Sequence, residues 1–270
     1  MSGDVDDIQR LVEHVRRSKK YQHVSEKLVR EIGAIELVKR SSFKEAVKAT
    51  RNKLHQVGGL YFERTLDYQR AFEDLATAQR QSETALRDQS IQIMQFQTST
   101  RERVGILSEF FDGLMSAMPE PRVVLDLACG LNPLALPWMK LPADTQYYAY
   151  DIYADLIEFV GRVLDLHKQP GSAEVRDIVH EPPSRSADLA LVLKSFPCLE
   201  QIEKGAGRSL VQALKARYVA VSYPVHSVGG RGKGMRENYQ EQFEAALMGL
   251  DYGIQRLEFN TELVFVIDKG

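Results

Sequence analysis

Polar side chains recur in this sequence where short apolar runs end, and their types and spacing suit a nucleoside. Asp126 and Gly130 close the run Val123-Val124-Leu125-Asp126-Leu127-Ala128-Cys129-Gly130, Asp151 closes a second run, Asp177 a third and Lys194-Ser195 a fourth. In a doubly wound sheet a ligand lies beyond the carboxyl ends of the strands, where these residues fall. A carboxylate at Asp151 can accept hydrogen bonds from a ribose diol, and one at Asp177 can accept from an adenine amino group. Gly130 lets the backbone approach a ligand closely. Each feature also has a plainer reading, because a strand-end Asp is a common helix cap or turn former. Asp-Leu-Ala-Cys-Gly has one glycine where a dinucleotide fingerprint needs three, which counts against NAD.

The elements that would position these residues follow from periodicity. Up to about residue 118 the apolar positions recur at three- and four-residue spacing, as in Leu28, Ile32, Ile35 and Val38, and no strand signal interrupts them. Ser41 or Ser42 can cap a helix through Val47 to Leu54, and Gly58-Gly59 ends it. Ser99 and Glu102 have the spacing of a capping box, which predicts a helix from there to about Met118. From Arg122 the texture changes to strand-like runs at Arg122–Cys129, Gln146–Ile152, Ala173–Ile178, Ala187–Ser195 and Tyr218–Pro224. Helical stretches fit between them at Tyr153–His167, Ile202–Ala216 and Arg236–Leu250, the grammar of a mainly parallel sheet covered on both faces. The last two strands, Ile254–Phe259 and Glu262–Asp268, are too close to be joined by a crossover and must form an antiparallel hairpin. A plain dinucleotide-binding fold would end on another parallel strand. The expected α/β architecture therefore resembles a class I S-adenosylmethionine-dependent methyltransferase, a Rossmann-like seven-stranded sheet with a C-terminal antiparallel hairpin, plus an N-terminal all-helical module. Residues 1–98 are expected to form that module and 99–270 the S-adenosylmethionine-binding domain.

Bulk properties narrow the setting. The chain has 270 residues, 44% of them hydrophobic, enough for a packed α/β domain and a smaller module. Its apolar runs are of strand length and its first residues lack a signal peptide's basic-then-apolar order, so a cytoplasmic protein without a membrane partner is expected. Cys129 and Cys198 lack metal-ligand spacing and the six histidines are scattered, so no metal is expected. Between Arg16 and Lys53 twelve Lys and Arg face four Glu, a net of +8, and the remainder of a chain of formal charge −2 carries −10. Such a basic block reads either as a solvated helical surface or as a docking face for a phosphate backbone, the latter weakening steeply with salt.

Five segments carry a more specific resemblance: Ser99-Thr100-Arg101-Glu102-Arg103, Asp126-Leu127-Ala128-Cys129-Gly130-Leu131-Asn132-Pro133, Tyr150-Asp151-Ile152, Leu193-Lys194-Ser195-Phe196-Pro197-Cys198-Leu199-Glu200 and Gly229-Gly230-Arg231-Gly232-Lys233-Gly234-Met235. Together they resemble the aminoglycoside-resistance 16S rRNA methyltransferases that modify N7 of guanine-1405 (rRNA numbering) in the decoding site. The resemblance implies that Arg103 meets the cofactor carboxylate, Gly130 lines the methionine pocket, Asp151 holds the ribose, and Asp177 with Ile178 flanks the adenine. It extends the cofactor set to Phe62, Gln97, Thr98, Ser99, Ala128 and Leu193. Lys194 and Phe196 would sit beside the reaction centre as positioning groups, although Phe196 has an equal claim to be core packing. Lys19, Lys20, Arg51 and Lys53, with the loop residues Arg231, Lys233, Met235 and Arg236, would contact RNA. Gln97-Thr98 stands where the family often has a histidine-alanine pair, and Ile202 where it usually has glutamine.

Guanine N7 carries an in-plane lone pair, so transfer of a methyl group from the sulfonium requires positioning and no general base. The resemblance makes the assembled 30S subunit the partner, the enzyme acting as a monomer and conferring resistance to kanamycin- and gentamicin-type drugs. Two other readings remain open at this point: a methyltransferase for another rRNA position or a small molecule, and a noncatalytic ribosome-binding factor.

Overall fold

The computed structural model describes residues 2–58, 66–225 and 234–270. Three helices open the chain, α1 (Ser2–Arg16), α2 (Glu26–Lys39) and α3 (Phe43–Gly58), and they close on a core of their own built from Leu11, Val15, Leu28, Val29, Ala46 and Leu54. Ser25 caps α2 by accepting from Leu28 N, and Ser42 accepts from Glu45 N at the start of α3, as its sequence position suggests. The apolar stripe of α2 differs from the expected one: Leu28 and Ile32 are buried, but Ile35 and Val38 are exposed. The face turned inward runs through Val29, Ile32, Gly33 and Glu36, a tighter set that lets Gly33 meet the Leu11 side chain, where a Cβ would fall 2.4 Å from Leu11 Cδ2.

Helices α4 (Tyr68–Gln81) and α5 (Glu83–Met94) are capped by Asp67 and Ser82. Their apolar faces, including Leu75, Leu86, Ile93 and Met94, join one side of the sheet. The continuous helix expected from Ser99 to Met118 is broken into α6 (Thr98–Arg101), a 3₁₀ turn at Val104–Ile106 and α7 (Leu107–Met115). The capping box does not form, because the Glu102 carboxylate accepts from Lys194 Nζ at 2.8 Å. The helix start is sacrificed to a long-range ion pair that no local pattern encodes.

Seven strands follow: β1 (Val123–Leu127), β2 (Gln146–Asp151), β3 (Gly171–Val175), β4 (Ala187–Leu193), β5 (Ala216–Pro224), β6 (Gly253–Glu258) and β7 (Glu262–Asp268). They form one sheet in the order β3-β2-β1-β4-β5-β7-β6, parallel except for the antiparallel pairings of β7 with β5 and β6. Alternation along the strands divides the core: Val124, Leu189, Leu191 and Val264 face α4, α5, α7 and α9 (Ala154–Leu166), whereas Leu125, Ala190, Val192 and Phe265 face α10 (Phe196–Ile202), α11 (Ala206–Ala213) and α12 (Met235–Leu247). A short helix, α8 (Leu136–Met139), follows β1. Two sequence expectations shift. The third strand ends at Val175, which leaves Asp177 in the turn beyond it, and the helix expected over 202–216 begins only at Ala206, after the positive-φ Gly205, with the separate helix α10 occupying the segment before it. No helix among the described residues is long and apolar enough to cross a membrane.

Candidate active site at the strand ends

The strand order reverses between β1 and β4, the place where a sheet of this kind opens a crevice. A cleft lies there, enclosing about 730 Å³ of empty space including its mouth. Gln97, Ser99, Ala128, Asp151, Asp177, Ile178, Leu193 and Lys194, all singled out from sequence, line it. The backbone is unusual at its rim: Ala128, Gly130 and Lys194 have φ of 51°, 51° and 56°, in the left-handed region that disfavours side chains. At Gly130 the constraint is steric as well, since a Cβ would lie 2.3 Å from Gln97 Nε2. Gln97 is held there because its Oε1 accepts from Leu131 N at 2.7 Å.

Asp151 ends β2 with its carboxylate facing the cleft. Gly130 N donates to Oδ2 at 3.0 Å and Ile152 N donates to Oδ1 at 2.7 Å, which fixes both oxygens and leaves each with further acceptor capacity. Burial pushes its pKa up, and the backbone donors oppose that shift. Asp177, buried beyond β3, accepts from Val179 N at 3.0 Å. Apolar side chains of Ile152, Ile178, Val179 and Leu199 line the same cleft and can sandwich a flat ring. Ser195 Oγ, also in the lining, is buried without a hydrogen-bond partner among the described residues. Carboxylates for hydroxyls and amino groups, an orphaned hydroxyl, apolar walls and a glycine cradle fit the nucleoside cofactor expected from sequence.

Other predicted residues lie beneath this lining. Arg103 is 1% exposed, and its guanidinium grips Glu262 in a two-pronged pair, Nε to Oε2 at 3.0 Å and Nη2 to Oε1 at 2.6 Å, while Nη1 donates to Asn132 Oδ1 at 2.8 Å. Lys194 Nζ meets Glu102 Oε2, Ser99 O and, at 3.3 Å, Glu262 Oε2. Glu262, buried at the start of β7, also accepts from Ser222 Oγ. Burial raises its pKa, but Arg103 and Lys194 reverse that and hold the carboxyl below its usual range. Glu262 escaped sequence analysis because its partners are distant in the chain; the one available signal was a carboxylate opening an otherwise apolar strand. Asp126 belongs to the same buried layer. It accepts from Tyr147 OH at 2.5 Å and Asn132 Nδ2 at 3.0 Å, and burial pushes its pKa up to about 6. It supports the turn and does not line the cleft.

Thr98 is buried at the start of α6, outside the lining. The Phe196 ring packs near Tyr223 and Phe243 and against Gly207, whose hypothetical Cβ would sit 2.3 Å from it. Of its two sequence roles the structure displays the packing one. Phe62, Arg231 and Lys233 lie outside the described residues. Lys19 and Lys20 are exposed near the α1–α2 connection; Lys20 Nζ lies 2.8 Å from His55 Nδ1. Arg51 donates to His14 O, Lys53 to Gln201 O, and Arg236 bonds Glu258 and Phe259 O, so these three brace the protein internally. Met235 begins α12, half-buried.

The opening three-helix unit also reaches the cleft, a contact that sequence patterns did not reveal. Val24 bridges Tyr153, Ser25 N donates to Ile152 O at 2.7 Å and Ala154 N donates to His23 O at 2.8 Å. This seam seats Leu28 of α2 in the cleft wall beside Asp151 and Ile152.

Comparison with known proteins accords with this arrangement. A 16S rRNA (guanine(1405)-N(7))-methyltransferase of Frankia casuarinae is 39% identical over 266 residues, covering 97% of this chain and 94% of the relative. One of the same name from Micromonospora rosea is 36% identical, covering 99% of this chain and 98% of that protein. The crystal structure of the 16S rRNA methyltransferase RmtF in complex with S-adenosyl-L-homocysteine superposes with a TM-score of 0.84 at 29% identity, over 97% of this chain and 98% of that one. The 16S rRNA methylase RmtB gives 0.79, also at 29% identity and over the same shares of the two chains. The family model described as ribosomal RNA methyltransferase (FmrO) matches residues 17–266, so this chain belongs to the FmrO family of ribosomal RNA methyltransferases.

Proposed function

We propose that the protein transfers the methyl group of S-adenosylmethionine to N7 of guanine-1405 of 16S rRNA, within the 30S subunit, and thereby confers resistance to kanamycin- and gentamicin-type aminoglycosides. The observation that carries this reading is the convergence of Asp151, Asp177, Ser195 and the Gly130 turn on one cleft at the β1/β4 switch point. Near full-length similarity to relatives named for that reaction supports the choice of base.

Asp151 would hold the ribose hydroxyls, and Asp177 between Ile178 and Val179 the adenine. The bound cofactor supplies an electrophilic methyl on a positively charged sulfur. Guanine N7 attacks through a lone pair in the ring plane, so no proton has to leave, and among the described lining residues there is no histidine to serve as a base. What remains is to hold donor and acceptor in line and to tolerate a base that becomes cationic. The rim is suited to both: Lys194 is neutralised by Glu102 and Glu262, and its left-handed backbone is pinned by Lys194 N donating to Ser222 O and Oγ. Within a helical stem N7 faces a deep, narrow groove, so the nucleotide must flip outward. Residues 1–98 would grip rRNA phosphates, chiefly through exposed cations of the α1–α2 connection, such as Arg17, Lys19 and Lys20, and of α3, such as Lys44. The loop through Arg231 and Lys233 to Met235 would meet the flipped base or its neighbours, with Arg236 anchoring the start of α12 to Glu258 and Phe259 O. The proposed enzyme works as a monomer in the cytoplasm, without a metal.

Labelled cofactor tests this. Incorporation is expected into 30S subunits and not into free nucleosides, and Lys19→Glu/Lys20→Glu is expected to lower kcat/KM for 30S by roughly 10-fold with cofactor binding unchanged. Turnover of nucleosides, or insensitivity of 30S turnover to salt and to the double variant, would contradict the reading.

A further inference from the structure

Beside the adenine end of the cleft, three titratable groups meet across the seam between the helical module and the sheet. His180 Nδ1 lies 2.6 Å from Asp177 Oδ2 and 3.2 Å from Glu31 Oε2. Asp177 lines the cleft and is buried, whereas Glu31 is carried by α2, the helix that also sends Leu28 into the cleft wall. Leu28 and Glu31 are three residues apart and share a face of that helix. A second tie runs parallel, Lys27 of α2 to Glu181. One imidazole therefore joins the carboxylate at the adenine end to the element that covers that end.

We propose that His180 is a positioning residue for cofactor binding: clasped between Asp177 and Glu31, its imidazolium aims the Asp177 carboxylate and fastens α2 against the cleft. This rests on the reading of the cleft as the S-adenosylmethionine site. Without the imidazolium, two carboxylates would face each other across the seam, Asp177 would turn from its ligand and the Leu28 wall would loosen. The electrostatics agree with that role. Burial pushes the His180 pKa down, but the hydrogen bond to Asp177 and the charges of Asp177, Glu31 and Glu203 outweigh it and raise the pKa. Glu31 is itself pushed up, first by burial and also by Asp177, with His180 and Lys27 opposing. Lys27 and Glu181 complete the charged groups around the clasp, with Arg176 beside Glu181. A histidine whose pKa is raised in this state contributes most while protonated, so the contribution fades as pH rises through that elevated value.

Calorimetric binding of S-adenosylhomocysteine by the full chain tests the proposal. Between about pH 6.5 and about pH 8.5 wild-type affinity should fall roughly 3- to 5-fold, the scale of a partly exposed ion pair. His180→Gln should bind about 5-fold more weakly at the lower pH with its slope flattened, and His180→Arg should recover affinity to within about 2-fold, independent of pH. In 30S methylation the KM for cofactor should rise while kcat changes by less than about 2-fold. Should His180→Gln fold poorly, Glu31→Gln keeps the His180–Asp177 pair and should still lose about 2- to 3-fold in affinity. Affinity and pH slope unchanged in these variants, or an effect on kcat alone, would overturn the proposal. So would wild-type affinity that changes on chelation with EDTA, which would make the cluster a metal site. A wild-type chain with no affinity for S-adenosylhomocysteine would instead remove the cofactor reading on which the proposal stands.

Discussion

Asp151→Asn is expected to weaken S-adenosylhomocysteine binding by roughly 100-fold and to lower kcat/KM for 30S methylation at least as far, while the folded chain persists. The size of the effect follows from the hydrogen-bond inventory. Each Asp151 oxygen already accepts a backbone N–H, from Gly130 and from Ile152. An amide in the same place keeps one acceptor and turns the other into a donor, which then opposes either a backbone N–H or a ribose hydroxyl. The Gly130 turn also loses part of its anchor, so the methionine side of the cleft loosens with the ribose side. Titration calorimetry reads the binding loss, and circular dichroism separates it from unfolding. An Asp151→Asn chain that binds the cofactor within about 3-fold of wild type would remove Asp151 from the ribose site.

The second large effect is expected at Glu262. Its carboxylate is the shared counter-charge for Arg103 and Lys194, and all three are buried. Glu262→Gln removes one negative charge from between two cations that have no water to turn to. Breaking a buried pair in this way costs about 3–5 kcal/mol, because Arg103 is left without a counter-charge while Lys194 keeps Glu102. In a chain of this size that corresponds to a melting temperature lower by roughly 6–15 °C. Activity should fall with it, since Lys194 holds the left-handed turn after β4 and ties it through Ser99 O to the start of α6. Replacing Arg103 by Met in the Glu262→Gln background should restore part of the stability, because fewer unpaired charges remain. Thermal unfolding of the single and double variants checks this, and a Glu262→Gln chain that melts within about 1 °C of wild type would contradict it.

Much of the fold was readable from the residues. Apolar runs bounded by turn formers located the strands to within a few positions, and the short link around Asn260-Thr261 forced the terminal hairpin. The strand-end acids predicted the cleft because topology, and not local sequence, decides where a doubly wound sheet binds. Where local pattern and distant partners competed, the distant partners won. Ser99 and Glu102 have the spacing of a capping box, but Glu102 is claimed by Lys194, ninety-two residues away in sequence. Ile35 and Val38 fit a helical stripe, but the close approach permitted by Gly33 rotates the buried face of α2 away from them. Glu262 and His180 were illegible for the same reason: each matters through groups brought to it only by the completed fold. The seam between Val24 and Tyr153 likewise has no signature in either segment, yet it makes the helical module part of the cofactor cleft.

The central claim is that this cleft delivers a methyl group to guanine N7 in the assembled subunit. N7-methylation labilises the glycosidic bond, so reduction with borohydride followed by aniline cleaves the RNA chain at the modified nucleotide. In 30S subunits treated with the protein and S-adenosylmethionine, cleavage of 16S rRNA is predicted at guanine-1405, and at a far lower initial rate when Asp151→Asn replaces the wild-type chain. An intact guanine-1405 together with a primer-extension stop at an adenine would contradict the account.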